Sequence, residues 1–318
     1  MATLPSYIQY PTLRGSRSLT GGWLVSAIAI AVSSAAHSAH AQETRGWSID
    51  PALDVSARAA TSQSAIRDDE EVIIGDAIAF GLAPSVRFEK GDTVITIRNS
   101  LKRVEYFSDD RTDRWQNIAS ITADQAFSDR FAVRAFAERG DNVPTAEFSR
   151  ADQWEVGGRV ETEFDDANRV RLGASWRERD YDDVARSHGE GPQIDGEYRY
   201  RFGANHYLYA RGRYEEIDSV EDARRMNRQS AFLVYQIPVA KDLRLRPELS
   251  YRDLEYPGRA LPEGGFRRDE IVSPEVTAVY RPGPWQVSAE AKYIWRESND
   301  PRFDRGGYRF AIEVGYEF

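Results

Sequence analysis

From Tyr308 to Phe318 the chain alternates without a break: Tyr308, Phe310, Ile312, Val314, Tyr316 and Phe318 are apolar, with Arg309, Ala311, Glu313, Gly315 and Glu317 between them. A period of two describes a strand with one apolar face and excludes an amphipathic helix, whose apolar positions recur every 3.6 residues. The same pattern places Trp154, Val156, Gly158, Val160, Thr162 and Phe164 on one face, and Trp285, Val287, Ala289, Ala291, Tyr293 and Trp295 on another. Each of these faces begins and ends on an aromatic residue, ten positions apart. At about 3.3 Å per residue and a tilt near 40°, ten residues rise roughly 25 Å, the height of the apolar band of an outer-membrane barrel between its aromatic girdles.

The connections between such segments come in two lengths. "EKGD", "SDR", "DDANR", "GANH", "VAKD" and "RPGP" are tight turns; "TSQSAIRDDEE", "RGDNVPTAEFSRAD", "DYDDVARSHGEGP", "YPGRALPEGGFRRDE" and "SNDPRFDRGG" are long and charged. Short periplasmic turns and long outer loops mark an antiparallel transmembrane β-barrel, and set it apart from a soluble β-sandwich, which also alternates. Fourteen strands are expected, centred near Val55, Leu82, Ile97, Ile121, Val133, Val160, Ala174, Tyr198, Arg211, Leu233, Leu249, Val276, Ala289 and Val314. Pro51 makes the first strand the least regular, and twelve or sixteen strands also fit the pattern. With an even number, both termini lie on the periplasmic side.

The first 41 residues read as a cleaved signal peptide. Arg14 and Arg17 precede the apolar run Trp23 to Val32, and Ala39-His40-Ala41 forms a small-x-small cleavage site. The expected mature chain, 42–318, is one barrel domain carrying 40 basic against 51 acidic residues. The chain has no cysteine, which excludes thiolate metal sites and disulfide frameworks, and its basic residues are almost all arginine. Outer-membrane lipid and lipopolysaccharide are the expected surroundings, and nothing points to nucleic acid.

Alternation also assigns a lumen face. Arg171, Arg177, Arg179, Arg199, Arg201, Arg211, Arg213, Arg244, Arg246 and Arg252 are expected to line it, with Glu155, Glu163 and Glu197. Turn-based register puts Glu163 opposite Arg171, Glu155 opposite Arg179, Glu197 opposite Arg211 and Asp195 opposite Arg213. Tyr207 and Tyr209 point inward beside Arg199 and Arg201. Guanidinium groups present paired donors to carboxylate, phosphate or sugar hydroxyls, so such a wall suits anionic or polar solutes. The alternative is cross-strand neutralisation, with each exposed pair contributing about 0–1 kcal/mol. The acidic runs "RDDEE", "SDDRTD" and "DYDD" predict an acidic outer rim, read as solvated surface with no metal site.

No catalytic residues, metal or cofactor are expected. His188, assigned to an outer loop, and His206, in a periplasmic turn, have no serine on a shared strand face, as a dyad requires. Glu275 and Glu290 could meet across "RPGP", with Lys292 nearby as the partner of an ion cluster.

The last fifty residues carry further landmarks: Arg268-Asp269, a hairpin, Ser298-Asn299, Pro301, Phe303 and the terminal Phe318. In this order they resemble the end of the C-terminal barrel of surface lipoprotein assembly modifiers, a fourteen-stranded barrel that helps move lipoproteins to the cell surface. The tetratricopeptide-repeat domain of that family has no counterpart here. The terminal aromatic on an amphipathic last strand is similar to the signal by which barrel assembly machinery recognises its clients, which would give Tyr308, Phe310, Ile312, Val314, Tyr316 and Phe318 a role in insertion. The leading expectation is a porin-like channel for passive passage of small polar or anionic solutes. An accessory barrel for lipoprotein or polysaccharide export, and a structural or adhesive barrel, are the alternatives.

Overall fold

In a computed structural model the described residues are 46–62, 75–107, 112–147, 150–181 and 188–318. The expected leader, most of the acidic rim and the first outer loop lie outside them. Fourteen antiparallel strands form one closed barrel. They are β1 (Ser48–Ser62), β2 (Ala77–Lys90), β3 (Thr93–Tyr106), β4 (Arg114–Ser128), β5 (Phe131–Val143), β6 (Ala151–Glu163), β7 (Asn168–Tyr181), β8 (His188–Gly203), β9 (His206–Ser219), β10 (Met226–Ala240), β11 (Leu243–Ala260), β12 (Phe266–Tyr280), β13 (Trp285–Ser298) and β14 (Arg305–Glu317). Each strand pairs with its sequence neighbours, and β1 closes the ring on β14 from Asp54–Glu317 to Ser62–Arg309. All fourteen expected centres fall inside these strands. Pro51 is tolerated because it precedes Asp54, where the pairing of β1 with β14 begins, so its missing N–H removes no bond from that ladder.

Closure removes every sheet edge, the condition for strands to cross a bilayer with no backbone group unpaired. The outward face is the apolar one. Trp154, Val156, Leu172, Trp176, Ile194, Leu233, Leu249, Trp285 and Trp295 are all exposed. Tyr308, Phe310, Ile312, Val314 and Phe318 are exposed on the same face of β14. In a soluble fold these side chains would be the core, and here lipid takes that part. At the periplasmic end Phe202, His206 and Tyr235 form an aromatic cluster, with the His206 Nε2 2.7 Å from the Tyr235 hydroxyl. His206 thus opens β9 within this aromatic cluster, and His188 opens β8, paired with Asp180 at 3.0 Å.

All fourteen strands exceed the 9–11 residues a tilted strand needs to cross, the longest being β11 with 18 and β8 with 16. "YPGRALPEGGFRRDE" is mostly β-hairpin, turning at 261–265.

Candidate functional site: the two halves of the lumen

The connection between β5 and β6 enters the lumen. Near the end of β5 Asn142 is held in a left-handed conformation (φ 58°), and just after the strand Pro144, Thr145 and Glu147 are buried. Ala146 packs on an apolar cluster inside the barrel: Ile217, Met226, Leu254, Tyr256, Ile271 and Ile294, from β9 to β13. Tyr256 donates its hydroxyl to the Ala146 carbonyl at 3.3 Å, and Arg259 donates to the Glu147 and Ala223 carbonyls. In sequence the signal for this inward turn was a short uncharged run, Val143 to Ala146, inside a charged loop. The signal for the cluster was apolar residues on the polar face, Ile217 and Ile294 among them.

Around this segment the outer half of the lumen is a buried ion network. Glu215 is fully buried and accepts from Arg177 Nη1 at 2.6 Å and Arg179 Nη2 at 2.8 Å, with Arg228 Nη2 2.5 Å from its other oxygen. Arg179 also donates to Glu147 at 2.6 Å and to Gln153 at 2.9 Å, while the Tyr181 hydroxyl reaches Glu147 at 2.7 Å. Glu155 takes the Nε of Arg177 at 2.8 Å. Nearer the outer end Asp269 is held by Arg267, Arg296 and Ser298, and Phe303 lies 3.3 Å from the Arg267 guanidinium carbon. Every one of the fourteen strands places at least one buried inward side chain or glycine in this half. Each buried guanidinium or carboxylate of this set has an opposite charge against it, the condition under which such groups leave water.

The periplasmic half is different. Its inward arginines are exposed or half-buried, and its ion pairs are of mixed closeness: Arg171–Glu161, Arg134–Asp124 (2.6 Å) and Arg98–Asp54 (2.8 Å) are tight, whereas Arg159–Asp195 3.3 Å, Arg169–Glu161 3.3 Å, Arg199–Glu163 3.5 Å and Arg211–Asp195 4.0 Å are loose. Among the described residues Arg201, Arg244 and Arg246 have no carboxylate partner. They surround Tyr207 and Tyr209, whose ring centroids are 6.2 Å apart. On the wall from β14 to β3, Ser56, Gly81, Ser100 and Gly315 leave a cavity of about 450 Å³, edged by Asp54, Arg98, Lys102 and Glu313.

The thirteen expected lining residues alternate along their strands with the exposed apolar residues, and the register corrects several pairings. Asp195–Arg213 and Glu197–Arg211 stand as expected. Across "DDANR" the partners are Glu163–Arg169, Glu161–Arg171 and Glu155–Arg177, with Arg179 opposite Gln153. The cause is Asp165, whose carboxylate accepts from the Ala167 and Asn168 amides at 2.8 Å each and tightens the turn. The bond from the Asn168 side chain, with those from the two amides, holds the Asp165 carboxyl below its ordinary pKa. Across "RPGP", Glu275 faces Lys292 and Glu290 faces Thr277, so the two carboxylates do not meet. Glu290 instead takes Arg58 at 2.9 Å and Arg309. Arg213 lies opposite Asp195 and Ser230, and the Arg252 guanidinium rests 5.8 Å from the Phe232 ring centroid.

This is the architecture of an outer-membrane β-barrel: closed, antiparallel, apolar outside and charged within. Solved structures agree. The anion-selective porin from Comamonas acidovorans overlays with a TM-score of 0.53 at 8% identity, covering 86% of this chain and 100% of that one. The outer membrane channel DcaP of Acinetobacter baumannii gives 0.53 at 8% identity, covering 87% and 99%. At such identities the likeness is one of fold. No family model matches the chain, and no curated protein does, so the resemblance to surface lipoprotein assembly modifiers rests on the C-terminal landmarks alone.

Proposed function

We propose that the protein is a channel for small polar solutes that favours anions. The observation that carries this reading is the set Arg201, Arg244 and Arg246: guanidiniums facing the open periplasmic lumen, with no carboxylate against them. A paired arginine contributes little net field at the pore axis, whereas an unpaired one raises the local concentration of anions. That two solved barrels of the same fold are a porin and a channel supports the reading. In this conformation the outer half is packed, so conduction requires the segment from Pro144 to Glu147 to leave the apolar cluster. Planar-bilayer recording tests the proposal. The expected result is a conducting molecule with anion preference, and a preference that falls when Arg201, Arg244 and Arg246 are replaced together by glutamine. A molecule that never conducts, or that prefers cations, overturns it.

The packed outer half favours a second reading, an accessory barrel for lipoprotein or polysaccharide export, whose cargo would arrive at the open periplasmic mouth. Surface labelling of a co-expressed lipoprotein, with and without this protein, separates the two: an increase in labelled cargo from a non-conducting barrel selects export.

A further inference from the structure

We infer that the periplasmic lumen holds a binding subsite for carboxylates borne on a six-membered ring, built from Tyr207, Tyr209, Arg201, Arg244 and Arg246. It rests on the reading that anions enter this mouth and names the kind of anion retained there.

The geometry follows from register. On β8 and β9, Arg201 stands opposite Tyr207 and Arg199 opposite Tyr209. On β9 and β10, Tyr207 stands opposite Gln236. On β10 and β11, Pro238 faces Arg244 and Val234 faces Glu248, which sets Arg246 beside Gln236. Two arginines therefore flank the tyrosines on β8 and two more on β11. These outer strands are three inter-strand spacings apart, about 14 Å. Between them the two phenol rings, tilted 30° to one another, form a strip two rings long.

The strip is held before any ligand arrives. Tyr207 donates its hydroxyl to Gln236 Oε1 at 3.0 Å, and Gln236 Nε2 donates to the Asn205 carbonyl in the turn, also at 3.0 Å. Tyr209 has no hydrogen-bond partner for its hydroxyl among the described residues, and the Arg246 Nε is shielded without one. The subsite thus offers an aromatic surface, a spare phenol and three guanidiniums without carboxylate partners. A guanidinium fork matches a carboxylate in two parallel bonds, and a tyrosine face accepts a flat ring or the axial C–H face of a sugar. A small acyclic carboxylate would use the arginines and leave the rings idle. Aromatic acids and uronic acids share the chemistry that uses both.

Titration calorimetry on the folded full barrel in detergent, with sodium benzoate, sodium glucuronate and sodium acetate, tests the subsite without any current. A ring acid should bind about five- to tenfold more tightly than acetate, the magnitude of one aromatic contact. Tighter benzoate identifies an aromatic acid as the source, tighter glucuronate a sugar acid. Tyr209→Leu, which breaks no hydrogen bond within the protein, should shrink the difference between ring acids and acetate at least severalfold. Arg244→Gln with Arg246→Gln should weaken all three ligands about tenfold or more. Equal affinity for acetate and both ring acids, or unaltered benzoate and glucuronate binding in the double arginine variant, overturns the subsite. A barrel that binds a ring acid but never conducts defeats the channel reading and leaves the subsite standing.

Discussion

The outer and periplasmic halves of this lumen are lined by the same residue type and behave as different materials. On β7, Arg177 and Arg179 belong to the outer half, and each touches two carboxylates within 2.8 Å. Eight positions earlier on the same strand, Arg169 and Arg171 belong to the other half; Arg169 pairs with Glu161 and Glu197 at 3.3–3.4 Å, and Arg171 pairs closely with Glu161 but reaches Glu197 only at 3.5 Å. The difference is set by what fills the space. Above, Ala146 and the Ile217–Met226–Tyr256 cluster exclude water, so every charge must be matched closely. Below, no apolar cluster covers the charges among the described residues, close matching is not required of every charge, and Arg201, Arg244 and Arg246 go unmatched. An inward arginine is thus structural or available to a solute according to its height in the barrel.

Removing a charge from the dry half is the strongest way to break that contrast. Glu215→Gln leaves Arg177, Arg179 and Arg228 short of the carboxylate they share. A buried pair broken from one side costs about 3–5 kcal/mol. Urea unfolding in micelles, followed by tryptophan fluorescence, should show a loss of that size. A loss below about 1 kcal/mol would mean the outer half is hydrated like the lower one. Glu147→Gln should have a smaller effect on stability, because Arg179 keeps Glu215 and Gln153 and the Arg259 bond is to backbone. Its expected signature is functional: the Pro144–Glu147 segment is held less firmly, and the open fraction in bilayer recordings rises severalfold. An unchanged open fraction would move the closure elsewhere in the outer half.

The wall was legible in the sequence because strand periodicity is local. A residue's side of the sheet follows from its neighbours, and the inward face of β6 to β11 could be read without knowing any partner. Register is less local. "GANH" closes tightly around Asn205, left-handed at φ 59°, and counting across it gives the observed pairs. "DDANR" is shortened by bonds to the Asp165 side chain, and the same counting misses by two residues. The inward path of Val143 to Glu147 was marked only by a short uncharged run, whose destination the sequence did not show. It depends on a pocket assembled from five strands between β9 and β13, none of which announces an apolar lumen patch by itself. Ile294 was visible as an apolar residue among Glu290, Lys292 and Arg296, but only the closed barrel gives that exception a meaning.

The smallest expected effect concerns the loop above the closed half, where charge pairing occurs without the apolar cover. Asp300 accepts from the Arg302 Nε at 2.9 Å and Nη2 at 2.7 Å, and this pairing lowers its pKa from the usual 3.8 to about 2. A carboxylate with a lowered folded-state pKa stabilises the fold above its unfolded value, and the contribution disappears as pH falls through the folded one. The difference in melting temperature between the wild type and Asp300→Asn should therefore be constant from neutral pH to about pH 4, and shrink to nothing near pH 2. Because the pair stands at the barrel's outer rim, added salt should reduce the neutral-pH difference as well. Glu215→Gln, measured in parallel, should show no such sensitivity to salt. If both variants respond alike, the cover over the outer half is not dry, and the contrast between the two halves is one of pairing alone.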